Sequence, residues 1–171
     1  MKKVQTATGL ALLALLLAVA QVRADATSAF NKLVQAGQKG AWADAALADY
    51  DNRSTEVAAG AAETLLQYLE GPELDPGVEA EFLGYFGAGD DKMGLAALKA
   101  NQAVADIAQG DTFYWDGWTL YGQGSYGEAE AKASNAYQVY GYAVTKLQDA
   151  WTLVDEAAVQ YGLAQSVLDD L

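Results

Sequence analysis

The chain has 171 residues, a formal net charge of −13 at pH 7, and neither histidine nor cysteine. Without cysteine there is no thiolate nucleophile, disulfide, iron–sulfur ligand or thioether-linked haem. Without histidine there is no imidazole base and no ordinary zinc, copper or haem site. We therefore expect a protein that is not an enzyme and that holds no cofactor and no metal.

The first 24 residues have the three parts of a secretory signal peptide. Lys2 and Lys3 form a basic start, residues 10–20 are an uninterrupted apolar run, and Ala24 is a small residue at the cleavage position. The apolar run is shorter than the roughly 20 residues that a membrane anchor needs. We predict cleavage near Ala24 and, because the short basic start is typical of bacteria, export to the periplasm or the exterior.

Cleavage would leave residues 25–171, which we expect to form a single helical domain. This region keeps 7 Lys/Arg against 23 Asp/Glu, a formal charge of −16. Such a field repels nucleic-acid phosphates and anionic lipid heads, so we expect no nucleic-acid partner and no membrane association after cleavage. It favours cationic partners or divalent ions, although a solvated acidic surface accounts for the same composition.

Alanine and leucine recur at spacings of three and four residues, and Ile107 is the only isoleucine, a pattern typical of helices. The first helix is predicted to start near Asp25, Thr27 or Ser28, which are N-cap residue types. Stretches that contain glycine or proline, at 71–72, 87–89 and 109–111, are predicted helix ends. We thus expect an all-α bundle of four or five antiparallel helices, at about 25–37, 42–69, 78–86, 90–110 and 128–171.

The last predicted helix has the clearest pattern, a heptad seam with alternating steps of four and three residues. Its side chains are mixed in size, which favours packing in a bundle over a two-stranded zipper. The helix either is a single rod or folds back near Gly141 or Gly162. The predicted seam is Ala133, Tyr137, Tyr140, Val144, Leu147, Trp151, Val154, Ala158, Tyr161 and, beyond the polar Gln165, Leu168.

The densest feature is residues 113–126, which we call the aromatic segment. Tyrosine and tryptophan present large, rigid faces with polar tips. The rings either fill the core between helices, anchor a protein partner, or stack on a glycan whose hydroxyls a nearby Asp accepts. The candidate binding residues are Phe113, Tyr114, Trp115, Asp116, Trp118, Tyr121 and Tyr126.

Part of this region is similar to a tetratricopeptide (TPR) repeat. Gly117, the run from Gly124 through Tyr126 to Ala129, and Ala136 match the family's Gly … Gly-x-Tyr-x-Glu-Ala … Ala spacing. The resemblance implies a TPR-like helical hairpin around 113–136 and a role in protein binding. It covers only about 30 residues, and the regular 34-residue period of a solenoid is missing.

In the absence of histidine and cysteine, acidic residues are the candidates for catalytic and metal-binding groups. Hydrolysis of glycosides by two carboxylates needs no histidine, and Asp111, Asp116 and Glu128 are the candidates near the aromatic segment. Their spacing does not place two of them across a cleft. The stretch 49–53 begins like a calcium-binding EF-hand loop, but Arg53 occupies a ligand position.

We therefore expect an exported, non-enzymatic helical protein that acts as an interaction module or as an accessory or structural subunit of a periplasmic or extracellular assembly. Its partner would be another protein or its own copies. Two alternatives remain open: binding of a small glycan by the aromatic segment, and self-assembly into a filament or layer, which the negative charge opposes at low salt.

Overall fold

A computed structural model describes residues 2–171, with side chains from Leu15 onward, so much of the predicted signal peptide lies outside the described side chains. Three α-helices account for the described structure: α1 (Lys2–Glu70), α2 (Pro76–Gly122) and α3 (Tyr126–Asp169). The all-α prediction is confirmed, whereas the predicted number of four or five helices is wrong. Among the described residues, no helix is both long and apolar enough to cross a membrane.

Helix α1 includes both of the first two predicted helices, and the residues expected to cap the first of them lie inside it. The Thr27 hydroxyl donates to the Arg23 carbonyl one turn back, at 2.9 Å, and the Ser28 hydroxyl donates to Glu130 of α3, also at 2.9 Å. Neither side chain caps a helix start. Helix α1 continues through this region and past Gly40 to Glu70.

Helix α1 ends next to the predicted stop at 71–72, whereas α2 ends at Gly122 and not at 109–111. The Asp75 side chain accepts a hydrogen bond from the Gly77 amide at 3.0 Å, and Pro76 occupies the first position of α2. At the other end, Gly124 has a φ of 81°. The Ser125 amide there donates to the Leu120 carbonyl at 3.0 Å. This is a Schellman termination, which needs a left-handed residue and therefore favours glycine.

The chain divides into two compact units, Met1–Gly40 with Gln109–Val139, and Ala41–Ala108 with Tyr140–Leu171, which we call unit 1 and unit 2. In each unit, paired residues show that α1 and α3 run parallel and α2 runs antiparallel to both. In unit 2, three ion pairs fix the alignment of α2 and α3: Lys92–Glu156, Lys99–Asp149 and Lys146–Asp106. The prediction of a single domain over 25–171 stays a prediction.

Small residues recur every seven positions along the buried side of α3. Ala129, Ala136, Ala143, Ala150, Ala157 and Ala164 are all fully buried. A second buried row, which the predicted seam contains in full, is Ala133, Tyr140, Leu147, Val154, Tyr161 and Leu168. The other half of the predicted seam is displaced by one residue from the buried alanines. It contains Tyr137, Val144 and Trp151, each larger than the alanine before it, and Ala158, which has the same size as Ala157. Small side chains at a contact let helix axes approach more closely than large ones.

Helix α2 has the same kind of row, and this explains why the predicted helix ends at 87–89 and 109–111 were wrong. The row consists of Gly89, Ala96, Ala103, Gly110 and Gly117, all buried. Two glycines taken as helix ends are therefore packing positions inside one helix. At Gly89, an added Cβ would lie only 2.5 Å from Cε1 of Tyr161.

Tyr161 is also tied to α2 by a hydrogen bond. Its hydroxyl donates to Asp90 Oδ1 at 2.6 Å, so the Asp90 carboxylate is an acceptor within α2. Burial, together with this bond to a carboxylate, raises the pKa of the Tyr161 phenol well above its ordinary range. The tyrosine therefore stays a neutral donor at ordinary pH.

Alanine substitutions at Gly87 and Gly89 of α2 should change the free energy of unfolding in opposite directions. Around Gly87 an added Cβ meets nothing within 4 Å, so Gly87→Ala should raise the free energy of unfolding by up to about 1 kcal/mol through helix propensity. Gly89→Ala should lower it by about 1–3 kcal/mol, because the Tyr161 ring must move. Urea denaturation followed by circular dichroism measures both. Equal stabilisation by the two variants would contradict the close packing at Gly89.

Candidate functional site

The aromatic segment is mostly helical rather than a turn. Residues 113–122 form the end of α2, and Tyr126 is the first residue of α3. Side chains three and four residues apart share a helix face. Tyr114, Trp118 and Tyr121 are therefore neighbours along one side of α2 in unit 1.

These rings form a continuous network of largely edge-to-face contacts. Ring centroids lie 6.3 Å apart for Tyr114 and Trp118, 5.7 Å for Trp118 and Tyr121, and 5.4 Å for Tyr121 and Tyr126. Phe30 of α1 joins them, at 5.9 Å from Trp118 and 6.2 Å from Tyr121. We call these five residues the ring network. Each such pair contributes roughly 0.5–1.5 kcal/mol beyond the burial of its area.

Glycines allow α1 and α2 to approach closely beneath the ring network. A Cβ at Gly37 would lie 2.9 Å from the Tyr114 hydroxyl oxygen, and a Cβ at Gly117 would lie 2.8 Å from Cδ2 of Leu33. Side chains at these positions would push the two helices apart. The position of Tyr114 thus depends on glycine in α1, which the local sequence of the aromatic segment does not reveal.

Phe113 and Asp116 are engaged by Lys132 of α3. The lysine Nζ lies 2.7 Å from Asp116 Oδ2 and 5.2 Å from the centroid of the Phe113 ring. An exposed ion pair of this kind contributes about 1 kcal/mol or less. Asp116 is therefore already paired with a cation, and the lysine links α2 to α3 within unit 1.

Trp115 is the most accessible ring of the aromatic segment. Its residue surface is 65% exposed, whereas the other five aromatic residues of the segment are half-buried. Its ring contacts Tyr114 with a centroid distance of 5.2 Å. The segment is therefore neither wholly core nor wholly surface: one exposed tryptophan stands beside a partly covered network.

A second aromatic cluster, in unit 2, is part of the hydrophobic core and differs in this from the ring network. Phe82 is fully buried and stacks between Tyr68, at 4.4 Å, and Phe86, at 5.7 Å. Phe86 in turn contacts Tyr161 at 5.1 Å. All four residues of this cluster are buried or half-buried, and no fully exposed ring extends it as Trp115 extends the ring network.

The candidate carboxylates lie on two helices of unit 1. Asp111 and Asp116 are five residues apart on α2, which separates them by about 140° around the helix. Both residues are exposed, as is Glu128 on α3. Within the described part of the chain, no group of three acidic side chains is arranged to hold a metal ion.

The turn at Gly124 gives a helical hairpin where the TPR resemblance implies one. Its helices have 47 and 44 residues, each longer than a whole TPR repeat of about 34 residues. Comparison of the chain with protein-family models, with curated proteins and with solved structures found no match.

Two tryptophans in the segment should differ sharply in their effect on stability. Trp118 contacts Phe30, Tyr114 and Tyr121, so Trp118→Ala should lower the free energy of unfolding by about 2–4 kcal/mol. Trp115→Ala removes a mostly exposed ring and should change it by about 0.5 kcal/mol or less. Denaturant titration of both variants checks this. A large loss with Trp115→Ala would show that this ring is structural.

Proposed function

We propose that the protein is an exported, non-enzymatic helical module that binds another protein through the aromatic segment, in the periplasm or outside the cell. The observation that carries the proposal is Trp115, which is 65% exposed and stands beside the ring network. Tryptophan and tyrosine are the residues that most often dominate the energy of protein interfaces. A role as an accessory subunit of a larger assembly fits this arrangement.

The contacts around Trp115 favour binding, because a side chain that is already held in place loses less conformational entropy when a partner binds. Tyr114 contacts both Trp115 and Trp118, and its hydroxyl packs against Gly37 of α1. A ring held on packed helices loses less conformational entropy on binding than a ring on a mobile loop. The partner surface would be apolar where it covers Trp115.

The rim of this surface is acidic and suits a partner with basic groups. Asp111 and Asp116 flank Trp115 on α2; both are exposed, and Asp116 also forms the ion pair with Lys132. The whole chain carries 23 acidic against 10 basic residues. Complementary charge at the rim of an interface raises the association rate more than the affinity, and salt screens it.

A small glycan is the second candidate ligand for the same residues. The exposed Trp115 ring offers an apolar face, and exposed carboxylates stand next to it in the sequence. Sugars stack their apolar faces on such rings while their hydroxyls donate to acidic side chains. Fluorescence titration with a panel of neutral oligosaccharides tests this candidate.

The protein-binding proposal is tested by photo-crosslinking in the source cells. A photoreactive phenylalanine derivative replaces Trp115 in one variant and Trp42 in the other. Trp42 is the matched control, because it is 64% exposed and lies in unit 2. We expect one discrete protein adduct from position 115 and none of that mass from position 42.

The adduct then defines a complex that is rebuilt from purified proteins. Trp115→Ala should weaken this complex by about 30-fold or more, as expected for an interface hot spot, while Trp42→Ala leaves it unchanged. A complex that survives Trp115→Ala unchanged, or adducts that do not differ between the two positions, would contradict the proposal. An adduct between two copies of this chain would instead support self-assembly.

A further inference from the structure

A shallow groove lies between α1 and α3 in unit 2. Its lining residues are Ala46 and Asp49 from α1 and Leu147, Gln148 and Trp151 from α3. Leu147 is only 2% exposed and forms its floor, whereas Trp151 is 37% exposed and forms a wall. The groove thus combines an apolar floor, an indole ring, a carboxylate and a carboxamide.

The indole ring of Trp151 is held in place by a hydrogen-bonded chain. Its Nε1 donates to Asp155 Oδ2 at 3.1 Å, and the Arg53 guanidinium donates to Oδ1 of the same carboxylate at 2.9 Å. Arg53 also donates to Glu56 at 3.0 Å, so two carboxylates neutralise its charge. The ring is therefore oriented before any ligand arrives, and the charge of Arg53 is already compensated.

The carboxylate of Asp49 stands at the groove without an ion pair among the described residues, although Arg53 lies one turn away on the same helix. Most of the cations whose side chains the structure describes already have an acidic partner. Five of these eight Lys/Arg residues form ion pairs: Arg53, Lys92, Lys99, Lys132 and Lys146. In the whole sequence, 23 acidic residues outnumber ten basic ones. The electrostatic field at the groove therefore favours a positively charged occupant.

We propose that this groove binds a lysine or arginine side chain from a cationic segment of a partner protein. The ammonium or guanidinium group would lie on the Trp151 face, an arrangement that the ring quadrupole favours. Asp49 would form the ion pair, and the Gln148 carbonyl oxygen would accept a further N–H. The aliphatic stem of the same side chain would cover Leu147 and Ala46.

A neutral sugar is a weaker fit to these observations. It could stack on Trp151, but the net charge of −13 gives it no electrostatic advantage. Anionic ligands are repelled by the same charge. All lining residues of the groove belong to unit 2, so binding in the groove does not depend on binding at the aromatic segment.

The test is fluorine NMR of the full chain labelled with 5-fluorotryptophan. The chain has four tryptophans, so each gives its own resonance, and single Trp→Phe variants assign them. The probe is the peptide Gly-Arg-Gly-Lys-Gly with blocked ends. Its control replaces arginine by citrulline and lysine by acetyl-lysine, which keeps the shape and removes both charges. A neutral trisaccharide forms the third arm.

We expect the charged peptide to shift the Trp151 resonance selectively, with affinity that falls as salt rises, and the uncharged peptide and the sugar to leave it unchanged. Asp49→Asn should weaken binding about fivefold, as for one exposed cation site. Asp44→Asn is the matched control, because Asp44 is exposed on the same helix and the charge loss is equal.

Three results would overturn the inference. The first is no selective Trp151 shift with the charged peptide. The second is a Trp151 shift with the sugar or the uncharged peptide that equals the shift with the charged one. The third is equal weakening by Asp49→Asn and Asp44→Asn, which would show attraction by overall charge without a site. Because both substitutions are at exposed positions, thermal melts of the two variants should match the unmodified protein.

Discussion

The close approach of the helices at one position of each heptad is the constraint on which this structure depends. That position is alanine along α3, from Ala129 to Ala164, and alanine or glycine along most of α2, from Gly89 to Gly117. Small residues there bring neighbouring helices together. A large side chain does not fit at this position, so the rings next to it lie beside the contact, either buried, as Tyr161 is, or exposed, as Trp115 is.

Both candidate binding surfaces contain a tryptophan that lies near one of these small residues in the sequence. In unit 1, Trp115 is two residues before the buried Gly117, and its ring lies at the surface. In unit 2, Trp151 is adjacent to the buried Ala150, and its ring forms the wall of the groove. In each case the small residue is fully enclosed and a nearby tryptophan remains accessible. The packing that buries these small residues thus also leaves the two tryptophans accessible at the surface.

The sequence was sufficient for the helical class, the turn around 71–76, and one of the two buried rows of α3. It was not sufficient where hydrophobicity and burial disagree. Trp151 is more apolar than Ala150, so a pattern of apolar residues selects Trp151, while the packing buries Ala150. Glycine was misread for the same reason, because Gly89 is a helix end by propensity and a contact for Tyr161 in the fold. Phe30 of the ring network was missed because its contacts come from a distant part of the chain.

The most direct test of this account uses the absence of cysteine from the chain. Single cysteines are introduced as Ala150→Cys and Trp151→Cys in unit 2, and as Ala136→Cys and Tyr137→Cys in unit 1. The rate of reaction with a thiol reagent is then measured in the native protein and in denaturant. The account predicts that thiols at 136 and 150 react only after unfolding, while those at 137 and 151 react in the native state. Rapid native labelling at 136 and 150, with protection at 137 and 151, would contradict it.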